Sequence, residues 1–392
     1  MTDTEACIAF VAGESSGDLL AAPVIAALQR HVPPFRTAGV AGDRMIAAGC
    51  VAWHHVRELS VRGYIEVLRE VPRLLRLRRA LAQRLLSGCC CALVGVDAPD
   101  FNLALEARVR RGGLPTVHYV SPSIWAWRGW RMERIRQAAD RVLLVFPFEQ
   151  AIYDRAGIAA TYVGHPLASA IAMHPDRPAA RARLGFAADK PLICLMPGSR
   201  RAEIQYIAPV FFEAAQRLAD SVSEARFLVP VADSGLRPLL EQIRAQRANE
   251  ALRDRIALID GRAHDCLEAC DAVLVASGTA TLEAALFKRP MVIAYRVPPL
   301  SAWIMQRAGG YLPWVGLPNI LAGEGLVPEQ LQRRATPRAL AEQLLRELGD
   351  QKRQQMLNDR FCAMHEALRR DTPSLASEAI LHTIAQARGR KP

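Results

Sequence analysis

Short apolar runs and helix-like stretches alternate along the whole chain. CIAFVAG (7–13) has the length and unbroken hydrophobicity of a buried strand, and ESSGDLLAAPVIAALQRH after it reads as a small-residue turn and a helix. The unit recurs at CCCALVGVDAPD (89–100), followed by the helical FNLALEARVRRGG, and strand-like runs continue at 115–123, 140–148 and 160–166. A second series starts near 191 with PLICLMPGS, EARFLVPVAD, RIALIDG, DAVLVASGT and PMVIAYRV. Unbroken apolar strands alternating with helices predict parallel sheets covered on both faces, and two series predict two doubly wound α/β domains. Proline and arginine interrupt the rhythm at 168–186, where a linker is expected. The expected layout is a first domain over 1–168, a second over 169–355 and a helical tail over 356–392 that packs back on the first domain or on a partner subunit.

Composition narrows this picture. The chain has 392 residues, 51% of them hydrophobic, enough for two large cores. It holds no run of apolar residues long enough to span a membrane, and MTDTEACIAFVAGESSGD lacks a basic leader, so it reads as a first strand and not as a signal peptide. The net charge of +11 is mostly arginine and favours an anionic partner: nucleic acid, an anionic membrane or a phosphorylated substrate. The basic residues are spread over many helices instead of forming one stripe, which argues against nucleic acid. None of the nine cysteines shows paired zinc spacing: Cys89, Cys90 and Cys91 adjoin in a strand-like run, and Cys266 and Cys270 have no second pair nearby. Reduced, mostly buried thiols in a cytoplasmic protein are expected.

Ligands of doubly wound sheets bind beyond the carboxyl ends of the strands, so the strand exits carry the candidate chemistry. GESSGD (13–18) places Gly13 and Gly17 where backbone can approach a ligand; it reads equally as a helix start capped by Ser15 or Ser16. In DAPDFN (97–102), Asp97 or Asp100 could take a proton from an attacking hydroxyl, or Asp100 could cap the next helix and Asp97 face solvent. HYVSPSIWAWRGWR (118–131) interleaves three tryptophans with Arg128 and Arg131, either to stack on a ligand or as a packed loop. PGSRRAEI (197–204) sets Ser199 at a helix start with Arg200 and Arg201 beside it, a natural grip for phosphate oxygens. In ASGTATLE (276–283), Gly278 and Thr279 open a helix, and Glu283 lies one turn on, at i+4 from Thr279. A phosphate at that helix end and a ribose diol on Glu283 would suit a nucleoside diphosphate. The stretch 63–86 is a basic amphipathic helix: Val67, Leu68, Val71, Leu74, Leu75, Leu81, Leu85 and Leu86 form one half, and Arg69, Arg73, Arg76 and Arg84 lie opposite. It can rest on anionic lipid or pack into the core with a solvated basic face.

Together GESSGD, DAPDFN, HYVSPSIWAWR, FPFE (146–149), YVGHPL (162–167), MPGSR (196–200), ASGTATLE, YR (295–296) and LPNILAG (317–323) resemble the lipid-A-disaccharide synthase family, in the same order and across most of the chain. Asp43 in GVAGDRM and the lack of an acid after the histidine of GHPLAS depart from its pattern, away from the strand exits. The resemblance implies a glycosyltransferase-B fold, two doubly wound domains facing a cleft with a final helix crossing back. It implies transfer from UDP-2,3-diacylglucosamine to 2,3-diacylglucosamine 1-phosphate, giving a β-1,6 disaccharide 1-phosphate and UDP, with no cofactor or metal. An α-linked donor and a β product call for one inverting displacement. Asp97 is the expected base, with Asp100 as the alternative. Arg200, with Ser199, Arg201 and the amides of Ser277, Gly278 and Thr279, would stabilise the departing diphosphate. Glu283 would hold the ribose, Asn319 would line the same pocket, and Gly13, Glu14, Ser15, Ser16 and Asp18 would lie near a sugar. The resemblance further implies peripheral contact with the cytoplasmic face of the inner membrane, and homodimers in some members. The rival reading is another UDP-sugar enzyme of this fold, a UDP-N-acetylglucosamine 2-epimerase or a lipid-II-type glycosyltransferase.

Overall fold

The computed structural model describes residues 6–59, 64–122, 131–296 and 313–389. The chain divides into two compact units, one of residues 1–169 and 368–392 and the other of residues 170–367.

The first unit is built on seven parallel strands: β1 (Cys7–Ala12), β2 (Arg36–Ala41), β3 (Val51–His55), β4 (Ala92–Val96), β5 (Thr116–Tyr119), β6 (Arg141–Leu144) and β7 (Ala160–Tyr162). Their order across the sheet is β3-β2-β1-β4-β5-β6-β7. β1 and β4 are buried almost end to end, as strands covered by helices on both faces must be. The helices that matter below are α1 (Ser15–Gln29), α2 (Asp43–Ala47), α3 (Tyr64–Arg84) and α4 (Pro99–Arg111). β2 and β3 are strands that the apolar pattern does not predict. RTAGVA is made of small residues, and Gly39 lies against the Phe10 carbonyl so closely that a Cβ there would be 1.9 Å from its oxygen. VAWHH is an edge strand with no fully buried residue. The C-terminal helix Thr372–Gly389 packs on α1 within this unit.

α3 buries a narrower stripe than its sequence suggests. Leu77, Leu81 and Ala82 enter the core together with Leu85 just beyond the helix end, whereas Val71, Leu75 and Leu86, expected on the apolar side, are exposed. The side chains of 64–69 lie outside the described residues.

The second unit has six parallel strands: β8 (Leu192–Met196), β9 (Arg226–Val231), β10 (Ile256–Asp260), β11 (Ala272–Ala276), β12 (Met291–Tyr295) and β13 (Glu329–Leu331), in the order β10-β9-β8-β11-β12-β13. β13 escapes sequence analysis because EQL is three residues long and polar. Helices α5 (Arg177–Leu184), α6 (Arg201–Ser221), α7 (Ala263–Ala269), α8 (Thr279–Leu286) and α9 (Leu317–Ala322) flank the sheet. Phe211, Phe212 and Phe227 anchor its core.

In both sheets the strand order reverses once, between β1 and β4 in the first unit and between β8 and β11 in the second. Loops leaving two adjacent strands in opposite directions open a crevice at their carboxyl ends. Among the described residues no helix is long and apolar enough to cross a membrane.

Candidate active site

At the first reversal Ala12 pairs with Val96, so GESSGD and DAPDFN leave the sheet side by side. A Cβ on Gly13 would lie 2.1 Å from the Ala98 Cβ, so glycine is what allows the two loops to touch. Asp97 and Ala98 both adopt left-handed backbone, φ 53° and 44°, which costs a non-glycine residue about 1–3 kcal/mol and persists only where the surroundings enforce it. Here they do. The Asp97 amide donates to the Tyr119 carbonyl at 2.8 Å, and its carbonyl accepts from Asn102 Nδ2 at 2.8 Å. Asn102, wholly buried on α4, also reaches the Val11 and Val96 carbonyls at 3.0 and 3.3 Å, so two amide hydrogens serve three acceptors and tie both strand ends to the turn. One turn further along α4, buried Glu106 bonds His118 Nδ1 at 2.8 Å; burial pushes its carboxyl up, against the pull of His118. Gly95 makes room, since a Cβ there would be 2.0 Å from Glu106 Oε1.

This leaves the Asp97 carboxylate half-exposed and, among the described residues, without a hydrogen-bond partner. Asp100 does not cap α4; it is exposed and pairs with Arg131 Nη2 at 3.1 Å. Glu14 and Ser16 are exposed at the start of α1, and the Ser15 side chain lies outside the described residues. Asp18, expected near a sugar, is turned inward. Its carboxylate accepts the amides of Gly42, Arg44 and Met45 at 3.0, 3.1 and 2.9 Å and fixes the start of α2. The tryptophan-rich segment 123–130 lies outside the described residues.

At the second reversal Met196 pairs with Val275, so PGSRR and SGT emerge next to each other. Gly198, at φ 107°, turns the chain toward α6. Ser199, Arg200 and Arg201 are exposed there, and among the described residues Arg200 Nη1 bonds only Glu203, at 2.9 Å. Gly278, at φ 144°, caps α8 with no side-chain cap bond; the Thr281 amide bonds its carbonyl at 3.1 Å, and among the described residues the Gly278 and Thr279 amides stay open. Ser277 is not among those open groups. Its amide continues the sheet to Ala294 at 3.1 Å, and its hydroxyl donates to the Val315 carbonyl at 3.1 Å. Glu283 is one-fifth exposed on the same face of α8 as Thr279.

Asn319, expected to line the pocket, is fully buried and saturated: Nδ2 reaches the Val327 carbonyl and Glu329 Oε1, both at 2.9 Å, and Oδ1 accepts the Val327 amide at 2.8 Å. Glu329 in turn accepts the Val315 and Gly316 amides at 3.0 and 2.9 Å, so this pair shapes the 315–319 loop. Two further residues shape these sites. Asn102 was visible only as the last letter of DAPDFN. His264 lies 3.7 Å from Glu283, and nothing in its local sequence distinguishes it. Among the described residues no cluster of histidine, cysteine and acid could hold a metal ion, and all nine cysteines are free.

Each site thus combines a held backbone turn, an exposed acid or arginine and an open helix start. That set suits proton removal at one reversal and anion binding at the other. The solved structures of similar fold include the MnaA protein of S. aureus in complex with UDP (TM-score 0.64, 15% identity, 99% of each chain) and the calicheamicin glycosyltransferase (TM-score 0.59, 13% identity, 97% of this chain and 99% of that one). At these identities they show the fold, two doubly wound α/β units of glycosyltransferase-B type. A lipid-A-disaccharide synthase of Burkholderia vietnamiensis is 48% identical over 384 residues, 98% of this chain and 97% of its own, and one of Verminephrobacter eiseniae is 49% identical over 384 residues, 96% and 97% of the two chains. The family model described as Lipid-A-disaccharide synthetase matches residues 8–380, and the chain belongs to that family.

Proposed function

We propose that the two sheet reversals divide the work of an inverting transfer from UDP-2,3-diacylglucosamine to 2,3-diacylglucosamine 1-phosphate, with the donor nucleotide at the second and the acceptor at the first. Asp97 takes the proton from the acceptor 6-hydroxyl as that oxygen attacks the anomeric carbon. The bond to UDP breaks on the opposite face, which turns an α linkage into a β one. The diphosphate gains charge as it leaves. Arg200, Arg201, Ser199 and the open amides of Gly278 and Thr279 oppose that charge, and they need no reorganisation during the step. Glu283 accepts hydrogen bonds from the ribose hydroxyls. Glu14, Ser15 and Ser16 hold sugar hydroxyls at the first reversal, with Gly13 admitting the ligand close to backbone. Asp100, engaged by Arg131, is the weaker candidate base.

The observation that carries this reading is that a conformationally enforced Asp97, its carboxylate unpartnered among the described residues, and a helix start without a side-chain cap beside two arginines stand at the strand-order reversals, in a chain of this family. The epimerase alternative has only the shared fold behind it. Substrates with acyl chains draw the enzyme to the cytoplasmic face of the inner membrane, and exposed Val71 and Leu75 with Arg76 and Arg79 on α3 are the proposed contact. A homodimer belongs to the same reading on the family resemblance alone.

The test is turnover of both diacyl substrates by Arg200→Ala. Arg200 is exposed and, among the described residues, bonds only Glu203, so the fold should keep its melting temperature while kcat falls by about 10²–10³, the usual cost of one preorganised donor. Turnover within a few-fold of wild type would remove Arg200 from the mechanism.

A further inference from the structure

Glu283 differs from the other acids near it in the company it keeps. On α7, Asp265 is paired with Arg183 and Arg262 at 3.1 and 2.8 Å, and Glu268 with Arg183 at 2.6 Å. Among the described residues no arginine or lysine pairs with Glu283; the basic group beside its Oε1 is His264 Nε2, 3.7 Å away. The imidazole is itself held. It stands in the first turn of α7 and meets the ring of Phe287 edge-on, at 5.4 Å between centroids and 61° between planes. Phe287 is buried, and its amide bonds the Glu283 carbonyl at 2.9 Å, so one short segment fixes both the acid and the ring. Half of the His264 side chain is exposed.

A glutamate that must grip a diol loses rotamer freedom on binding. A neighbour that fixes one carboxylate oxygen beforehand reduces that loss. We infer that His264 is a positioning residue for the nucleotide, holding Glu283 Oε1 so that Oε2 is presented to the ribose diol. The inference rests on the reading of Glu283 as the ribose acceptor. The groups facing His264 are Glu283 from α8 and Asp265 and Glu268 from α7, all acidic, with the last two already neutralised by Arg183 and Arg262. Glu283 first, then these acids, holds the imidazole protonated to higher pH than a free histidine. The grip is therefore strongest at low pH and weakens as pH rises through the imidazole's raised pKa.

The experiment is calorimetric titration of the full chain with UDP at pH 6.0 and 8.5, for wild type, His264→Ala and Glu283→Gln. The ratio of variant to wild-type Kd at each pH cancels the titration of the diphosphate itself. His264→Ala should raise Kd about fivefold at pH 6.0, in line with a half-exposed ion pair, and less than twofold at pH 8.5. In turnover it should raise KM for the donor and leave kcat within twofold. Glu283→Gln should weaken UDP at both pH values. If Glu283→Gln weakens UDP but the His264→Ala ratio stays within twofold at pH 6.0, the positioning role is overturned and the ribose reading stands. If Glu283→Gln leaves UDP affinity unchanged, both are overturned.

Discussion

Single residues decide what the strand exits can do, and the direction of a side chain matters more than its type. Asp97 and Asp18 are both aspartates at exits of neighbouring strands. Asn102 and the Tyr119 carbonyl fix the backbone around Asp97 and leave its carboxylate open, whereas Asp18 is filled by three amides of the 42–45 turn. Asn319 meets the same fate as Asp18. Spacing alone cannot separate these cases, because an acid at a strand exit satisfies ligand and backbone donors equally well. His165 illustrates a residue whose burial has a measurable consequence. Its ring packs on Phe146, its Nδ1 accepts the Leu167 amide at 3.2 Å, and burial pushes its pKa down to about 4. The folded pKa lies below the unfolded value, so the unfolded chain binds the proton first as pH falls, and stability drops between about pH 6.5 and 4. Urea unfolding at pH 7 and 4.5 should show wild type losing about 2–3 kcal/mol more than His165→Asn. Equal losses in the two proteins would mean that His165 is protonated in the fold.

At the scale of elements, the long apolar runs were legible and the modest ones were not. β1, β4, β8 and β11 announce themselves because both faces are buried, and these four strands carry every candidate exit except the tryptophan-rich one after β5. β2, β3 and β13 are small-residue, half-exposed or very short, and only pairing with a neighbour makes them strands. α3 was legible as a basic amphipathic helix, but its buried stripe runs through Leu77, Leu81 and Ala82, which leaves Val71 and Leu75 in the open. Its arginines are not equivalent either. Arg73 is bound to the Glu58 carbonyl at 2.8 Å and to Glu70, while Arg76 and Arg79 are exposed. Reversing Arg76 and Arg79 to glutamate should lower partition onto vesicles containing phosphatidylglycerol by about tenfold or more, at about 1 kcal/mol per basic residue near an anionic surface. The melting temperature should not change. Undiminished partition would return α3 to a purely structural role.

For the molecule as a whole, two sheets of seven and six strands each reverse strand order once, and each reversal gathers residues proposed for the chemistry. Acid, helix start and paired arginines were visible in the sequence because they follow the strongest strands. The supports were not: Asn102, Glu106 and Glu329 act through contacts 5 to 91 positions away along the chain. His264 was hidden for the same reason, since its partner lies on another helix. The charge of +11 also finds a division of labour, with arginines at the second reversal proposed for the diphosphate and those of α3 for the lipid surface.

The most direct test is single-turnover transfer between the two diacyl substrates by Asp97→Asn, compared with wild type at equal, saturating concentrations. The variant keeps the side chain's size and the backbone bonds to Tyr119 and Asn102, so it should fold and bind UDP as wild type does. If Asp97 is the proton acceptor, the transfer rate falls by about 10²–10⁴, the range of general-base catalysis. A rate within a few-fold of wild type would mean that the proton leaves by another route.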